Sequence, residues 1–551
     1  MFTSNPLKQG FLKQEPLNRL LLMVVILLVV SKLFLVGEGF MSLVDEVRYV
    51  QSGQSLKGLS RLEFKRFLKP IFYTQGRPGE TIVKLIPSFM QWASAKVLGK
   101  SMYEPANSFP LFIFNVIVWC LILVVHFRFS RMVLGDTSLA LLSVILFASL
   151  TNSHIYLRHA LPYDTSLLVF YYAMYKTCLW HKTDGLTRYR TFGLGILAFS
   201  AYLIYPGYIS QFLAVSMLLA LYGLTMEGFR IRFIQSVFFV LGSLSCLLFF
   251  EFLSRVAGKS YIEAALKLSS TITQGSFSET FTFILKYLNQ VEGIVGLSMI
   301  PSVLLFFFWP VRRFSTTADG HMRLPLFLGL LLAGIYLVHA GSGYFLHKIV
   351  FYGRLIHPYM PYICVFAVFP LARLREGSRA RRPILAGLAL FILCSGVQKI
   401  VEYRSIQYPR DIAWAVINEH NPADVSTLCE YGPCQTISPT FHGNISDTAD
   451  SWTEVPDEKE RESGFRDKRP FGPTDFLIVN GCYFYPVKTM ASHQPLIHPG
   501  NGYRLVGSGV HFLNFKAYQY EAFDIEERRN LDSMDFRVRV YARPAGYGKG
   551  L

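Results

Sequence analysis

The sequence predicts an α-helical, polytopic membrane protein followed by a small mixed α/β domain, and three observations carry that prediction. Apolar residues gather in blocks of roughly 14 to 24, close to the ~20 that a helix needs to cross about 30 Å of hydrocarbon. Lys and Arg residues cluster in every second connection between those blocks. Composition agrees: of 551 residues, 52% are hydrophobic, 15% aromatic and only 17% charged, more aromatic than a soluble core of this size needs. The formal net charge of +17 would suit a nucleic-acid binder, but its placement in short connections makes it a topology signal.

About eleven spans are predicted. The first, near 20–36, follows basic residues as a signal peptide would. It is too long for a signal core and no small-residue cleavage site follows, so it reads as an uncleaved span. The others lie near 109–127, 137–150, 166–180, 192–205, 208–226, 233–252, 294–309, 324–338, 349–371 and 384–400. The basic connections carry Arg128 and Arg131; Lys182, Arg188 and Arg190; Arg230 and Arg232; Arg312, Arg313 and Arg323; and a cluster from Arg373 to Arg382. Short cytoplasmic loops retain such residues, so this face, with Lys8, Lys13 and Arg19, is expected inside and the C-terminus outside. A bacterial inner membrane is the favoured location. The first outer loop, 37–108, is also basic, which the rule tolerates in a long loop. Within it, 80–98 repeats apolar residues at helical spacing and reads as an interfacial helix.

The membrane part is expected to end near residue 402, leaving 403–551 as an extracytoplasmic α/β domain with a helix near 411–419 and strands near 425–429, 475–480 and 536–541. Cys120, Cys178, Cys246, Cys364 and Cys394 lie in or beside spans and read as small hydrophobes. In the tail, Cys429, Cys434 and Cys482 permit a disulfide whose pairing stays open. Asn444 begins a glycosylation sequon that chance explains adequately.

Candidate chemistry gathers where the chain meets the outer interface. Asp45 and Glu46 follow the first span; adjacent carboxylates there are either a solvated helix start or a general base or metal-binding pair. Arg158, His159 and Asp164 precede the fourth span, and Arg354 and His357 enter the tenth, where a buried Arg needs an anion.

In order along the chain, Asp45-Glu46-x-Arg48-Tyr49, then Lys69-Pro70 with Tyr73, then Arg158, Pro162, Asp164 and Phe170, then Arg354, Pro358 and Pro361 resemble motifs of the GT-C membrane glycosyltransferases. The likeness is to the branch holding the lipid A aminoarabinose transferases and protein O-mannosyltransferases. It spans about the first 400 residues. Two departures stand out: Tyr163 separates Pro162 from Asp164, and Tyr205-Pro206-Gly207 lies where the branch often has a Lys before the glycine. The resemblance implies an inverting, GT-C-like enzyme that takes a sugar from a polyprenyl-phosphate donor in the bilayer and passes it to a protein, lipid or glycan acceptor. Asp45 would be the base, with Glu46 and Asp164 beside it. Arg48, Lys69, Arg158 and Arg354 would face the donor phosphate, with Arg48 alternatively pairing Asp45 to keep it ionised. Tyr49, Tyr73, His159 and His357 would line the substrate site. Some relatives use a divalent metal, Mg or Mn, although no ligand-spaced cluster is visible in the sequence. A transporter or lipid flippase is the alternative reading, against which stand the lack of a convincing repeat and the gathering of polar candidates at one interface. A non-catalytic scaffold that binds a partner through its outer domain is a further one.

Overall fold

The structure, a computed structural model, describes residues 16–35, 46, 48–72, 80–99, 109–183, 185–222, 229–274, 281–308, 324–347, 353–374, 379–406, 409–419, 428–431, 476–480, 504–510, 516, 520 and 537–542. Each of the eleven predicted spans holds a helix, but they are not equal. Six are long and apolar enough to cross a bilayer alone: Pro16–Leu35, Phe109–Leu134, Arg230–Val256, Leu324–Leu346, Gly353–Arg373 and Arg381–Arg404. A seventh is a bent pair, Thr137–Ser149 and Asn152–Arg158, turned by 63° at its break. Pro206–Leu221 and Gly293–Phe308 are apolar but shorter. Tyr163–Lys182 and Arg188–Ile204 carry more polar side chains. The chain is an integral, multi-pass membrane protein; among the described residues six helices, or seven with the bent pair, are long and apolar enough to span, fewer than the eleven expected.

Packing follows from which face of each helix is apolar toward protein and which toward lipid. Leu17, Leu21, Val24 and Leu28 are buried against helices 137–149 and 381–404, whereas Ile26, Leu27 and Val30 face outward. Such exposed apolar faces suit hydrocarbon and would be untenable in water. Helices 188–204 and 229–256 cross closely. A Cβ on Gly195 would lie 2.0 Å from the Phe239 carbonyl oxygen, and one on Gly242 would lie 2.1 Å from that of Phe192. Ser243 Oγ donates across this contact to the Gly195 carbonyl at 3.2 Å. Small residues thus replace the hydrophobic effect as the reason two helices join within lipid.

One end of the bundle carries Arg128, Arg131, Lys182, Arg188, Arg190, Arg230, Arg232, Arg381 and Arg382, as the loop reading expects. There Asp136 caps helix 137–149, accepting from Leu139 N at 3.0 Å, and pairs with Arg381, which ties in helix 381–404. Burial pushes the Asp136 carboxyl up, but the Leu139 N–H, the Arg381 guanidinium and the backbone at Ser138 outweigh it, so it titrates below its ordinary value.

The first loop supplies helices Arg48–Ser60, Phe64–Phe72 and Leu85–Leu98; the last confirms the helical spacing over 80–98. Beyond Pro409–Glu419, strands β1 (Leu428–Tyr431), β2 (Phe476–Asn480), β3 (Arg504–Val510) and β4 (Arg537–Ala542) form one sheet of order β1-β2-β4-β3, with β1 and β2 parallel and the other pairs antiparallel. Alternation in β4 turns Val538 and Val540 inward onto Ile412, Ala413 and Ile417 of the helix. The predicted strands correspond to β1, β2 and β4, and β3 is additional. Tyr520 joins this part to the bundle: its hydroxyl donates to Gln290 Oε1 at 2.6 Å and its ring meets Tyr287. Cys434, Cys482 and Asn444 lie outside the described residues.

Candidate active site

The end of the bundle opposite the basic one holds a buried polar network built around the break at 150–152. A helix that stops inside a bundle leaves peptide groups without partners, each costly in low dielectric. Here Glu292, 1% exposed, accepts from Thr151 N at 2.8 Å and Asn152 N at 3.1 Å, and Lys399 Nζ pairs with it at 2.7 Å. The next turn is held by Asn115, whose amide donates to the His159 carbonyl at 3.0 Å. Arg158 is fully buried, donating to the Tyr403 carbonyl at 2.8 Å with its guanidinium 5.3 Å from that ring. Lys32, also buried, lies 3.3 Å from His154 Nε2 and 4.7 Å over Trp119.

Two carboxylates named from the sequence meet two named histidines. Glu46 is fully buried; one oxygen faces His159 Nδ1 at 3.2 Å and the other accepts from Ala160 N at 2.7 Å. Asp164, at the first turn of helix 163–182, meets His357 Nε2 at 2.8 Å through Oδ1. Its Oδ2 is buried and makes no hydrogen bond among the described residues. His357 Nδ1 in turn meets Asn152 Oδ1, whose amide nitrogen donates to Tyr287 Oη at 2.9 Å. That amide orientation assigns the Nδ1 proton to His357. Nε2 and Asp164 then share one proton, as an imidazolium with a carboxylate or an imidazole with a carboxylic acid. Either form can exchange a proton with a group brought to Oδ2.

Arg354 begins the segment that carries His357. Its guanidinium donates to Tyr163 Oη at 3.0 Å and lies 5.8 Å from that ring. Tyr163 packs against Tyr156 at 4.8 Å and Tyr205 at 4.6 Å. The two departures from the motif pattern, Tyr163 and Tyr205, therefore touch each other. Gly207 permits this, since a Cβ there would lie 2.5 Å from the Tyr205 ring.

Lys69 is exposed on helix 64–72. Arg48 and Tyr49 begin helix 48–60, where their side chains are not described, and Asp45 and Tyr73 lie outside the described residues. Sequence reasoning missed Asn152, Glu292, Lys399, Lys32 and Tyr287. An isolated Lys, Glu or Asn in or beside an apolar span is the signal that could have found all of them but Tyr287. Among the described residues no three His, Cys, Asp or Glu side chains group as metal ligands would. Asp45, the other candidate carboxylate, lies outside those residues.

The crystal structure of ArnT from Cupriavidus metallidurans bound to undecaprenyl phosphate is similar to this chain over 97% of its length and 99% of that protein's, with a TM-score of 0.54 and 12% identity. The apo ArnT crystal structure gives 95% and 97%, with a TM-score of 0.55 and 12% identity. The chain has the ArnT fold. ArnT is a lipid A aminoarabinose transferase of GT-C type, the branch that the order of motifs resembles. No family model and no curated protein matches the sequence. In the ArnT fold described here, the sequence candidates that can be placed in the bundle, Glu46, Arg158, His159, Asp164, Arg354 and His357, share the end opposite the basic loops.

Proposed function

We propose that this chain is an inverting GT-C-type glycosyltransferase that moves a sugar from a polyprenyl-phosphate donor to an acceptor at the non-cytoplasmic face. The observation that carries the reading is the buried pair of Asp164 and His357, beside Arg354, at one end of an ArnT-like bundle. In this reading the acceptor oxygen attacks the anomeric carbon while Asp45 removes its proton, and the bond to the phosphate oxygen breaks with its electron pair. Arg354, with Arg48, Lys69 and Arg158 as further cations, offsets the charge that develops on the leaving phosphate. His357 and Asp164 hold a proton within the site, and Tyr163 fixes the Arg354 guanidinium. Glu46 positions the 158–160 turn, and His159, Tyr49 and Tyr73 line the acceptor side. With the basic loops inside, as the positive-inside rule favours, the site would face outside. The C-terminal domain, seated on the bundle through Tyr520, influences acceptor choice.

The test is turnover of a panel of polyprenyl-phosphate sugars by purified protein in lipid, comparing wild type with Asp45→Asn. Donor-dependent release that disappears in the variant supports class and base together. Release that persists removes the base assignment, and absence of release with any donor and acceptor removes the transferase reading.

A further inference from the structure

The first loop contains a helical hairpin whose tip is built in a way that the site does not use. Helices 48–60 and 64–72 fold tightly on each other because Gly58 lacks a side chain: a Cβ there would lie 2.6 Å from Phe67 N. The turn is closed by backbone bonds, Leu62 N to Leu59 O at 3.0 Å and Glu63 N to Gly58 O at 3.0 Å. Leu62 nonetheless sits in the left-handed region at φ 58° and is 90% exposed, between Leu59 at 49% and Phe64 at 55%. A strained, β-carbon-bearing residue that presents an apolar side chain to the outside marks a place where something else covers it.

Charge and depth identify the cover. From Lys57 to Lys69 the segment holds five basic residues, Lys57, Arg61, Lys65, Arg66 and Lys69, against one acidic residue, Glu63. Glu63 is itself paired with Arg66 at 3.1 Å. The other face of helix 64–72, Leu68, Ile71 and Phe72, is buried against Leu203, Ala257 and Tyr261, where helices 188–204 and 229–256 end. The hairpin is therefore anchored at the level where a membrane span meets the headgroups. Just below, Leu248, Phe249 and Phe252 of that span face outward.

We propose that the 57–66 tip is an interfacial anchor that inserts Leu59, Leu62 and Phe64 among the headgroups of anionic phospholipids, with Lys57, Arg61, Lys65 and Arg66 neutralising their phosphates. Basic residues next to an anionic leaflet each improve association by about fivefold, and exposed apolar tips add the burial that orients them. The same arrangement accounts for the abundance of positive charge in a loop that the topology places outside: these residues are held by lipid charge and do not report orientation.

The experiment needs no enzymatic activity. The full chain is placed in nanodiscs of phosphatidylcholine, with or without phosphatidylglycerol, and chymotrypsin cleavage after Leu62 and Phe64 is followed by mass spectrometry. Cleavage is expected to slow about tenfold or more when phosphatidylglycerol is present, an effect that high salt erases. In the combined Arg61→Gln, Lys65→Gln and Arg66→Gln variant the two lipids should give equal rates. These side chains are exposed, so the variant should unfold at the wild-type temperature; if it does not, the salt titration of wild type decides. Leu62→Gly separates anchor from fold, because relief of the left-handed strain should raise the unfolding midpoint while protection by phosphatidylglycerol falls. Equal cleavage of wild type in both lipids overturns the proposal, whether both are fast, with the tip in water, or both slow, with protein as its cover. Protection that survives in the triple variant overturns it equally.

Discussion

Glu46 and Asp164 each meet a buried histidine, yet they differ in what remains of the carboxylate. Glu46 has both oxygens engaged, by His159 Nδ1 and the Ala160 N–H. Asp164 has one oxygen on His357, and its other oxygen is buried with no hydrogen bond among the described residues. An unsatisfied buried acceptor costs about 1–3 kcal/mol. A fold that tolerates this cost at one carboxylate and removes it at the other is what the proposed function expects if Glu46 positions and Asp164 takes part in chemistry. Glu46 holds the turn that carries Arg158 and His159, whereas Asp164 keeps an oxygen for which the described residues supply no hydrogen bond.

The largest test of that division is Glu46→Ala, which leaves His159 and the Ala160 N–H without their buried partner. We expect a loss of about 3–5 kcal/mol in stability, seen as a lowered thermal midpoint in detergent. If this variant folded like wild type and lost only turnover, the two carboxylates would be alike. Next comes Asp164→Asn, for which stability should stay within about 1 kcal/mol of wild type. Its kcat should fall about 100-fold, about 2.7 kcal/mol of barrier, and unchanged kcat would move Asp164 to the structural side.

The Asp136–Arg381 pair at the far end of the bundle is the control. Arg381→Ala should cost about 2 kcal/mol of stability with kcat intact. Because the folded Asp136 carboxyl titrates below its ordinary value, the stability it contributes is present above about pH 4 and is lost as pH falls through the lower folded value. Arg381→Ala should therefore flatten that part of the acid-unfolding curve, and a curve identical to wild type would show the pair to be unimportant. The smallest effect is expected from Tyr287→Phe, which removes the hydroxyl that accepts from Asn152. A loss of about 1 kcal/mol with a fewfold drop in kcat and unchanged donor KM would show that Asn152 positions His357. A change in KM alone would place Tyr287 at the donor.

Much of this was legible in the sequence, and the limits have physical reasons. Apolar blocks found the helices because length and hydropathy decide what can cross a bilayer. They did not reveal the 63° break at 150–152, because Thr-Asn-Ser-His reads equally as a loop between spans. Asp164, with Arg158 and His159, and Arg354, with His357, stand out as ionisable side chains near apolar ends. Asp164 and His357 meet across 193 residues of chain, and periodicity holds no information about such pairings. Tyr163 looked like a disturbance of a motif until its hydroxyl was found on Arg354. Strand β3 was hidden because Gly507 and Gly509 dilute its alternation. Those glycines let Val416 and Ile412 of the helix approach the sheet, since a Cβ at Gly507 would lie 2.5 Å from Val416.

The break at 150–152 also sets a timetable for biosynthesis. Thr151 waits 141 residues for Glu292, and Arg158 waits 245 for the Tyr403 carbonyl. At about 5–20 residues per second those delays are roughly 7–28 s and 12–49 s. During that interval the bent segment has no carboxylate for its peptide N–H groups and must keep them in water or within the insertion machinery. A chain that stopped before Lys399 would keep its earlier spans but lack the end of the last one, and with it the cation that pairs with Glu292 and the carbonyl that accepts from Arg158.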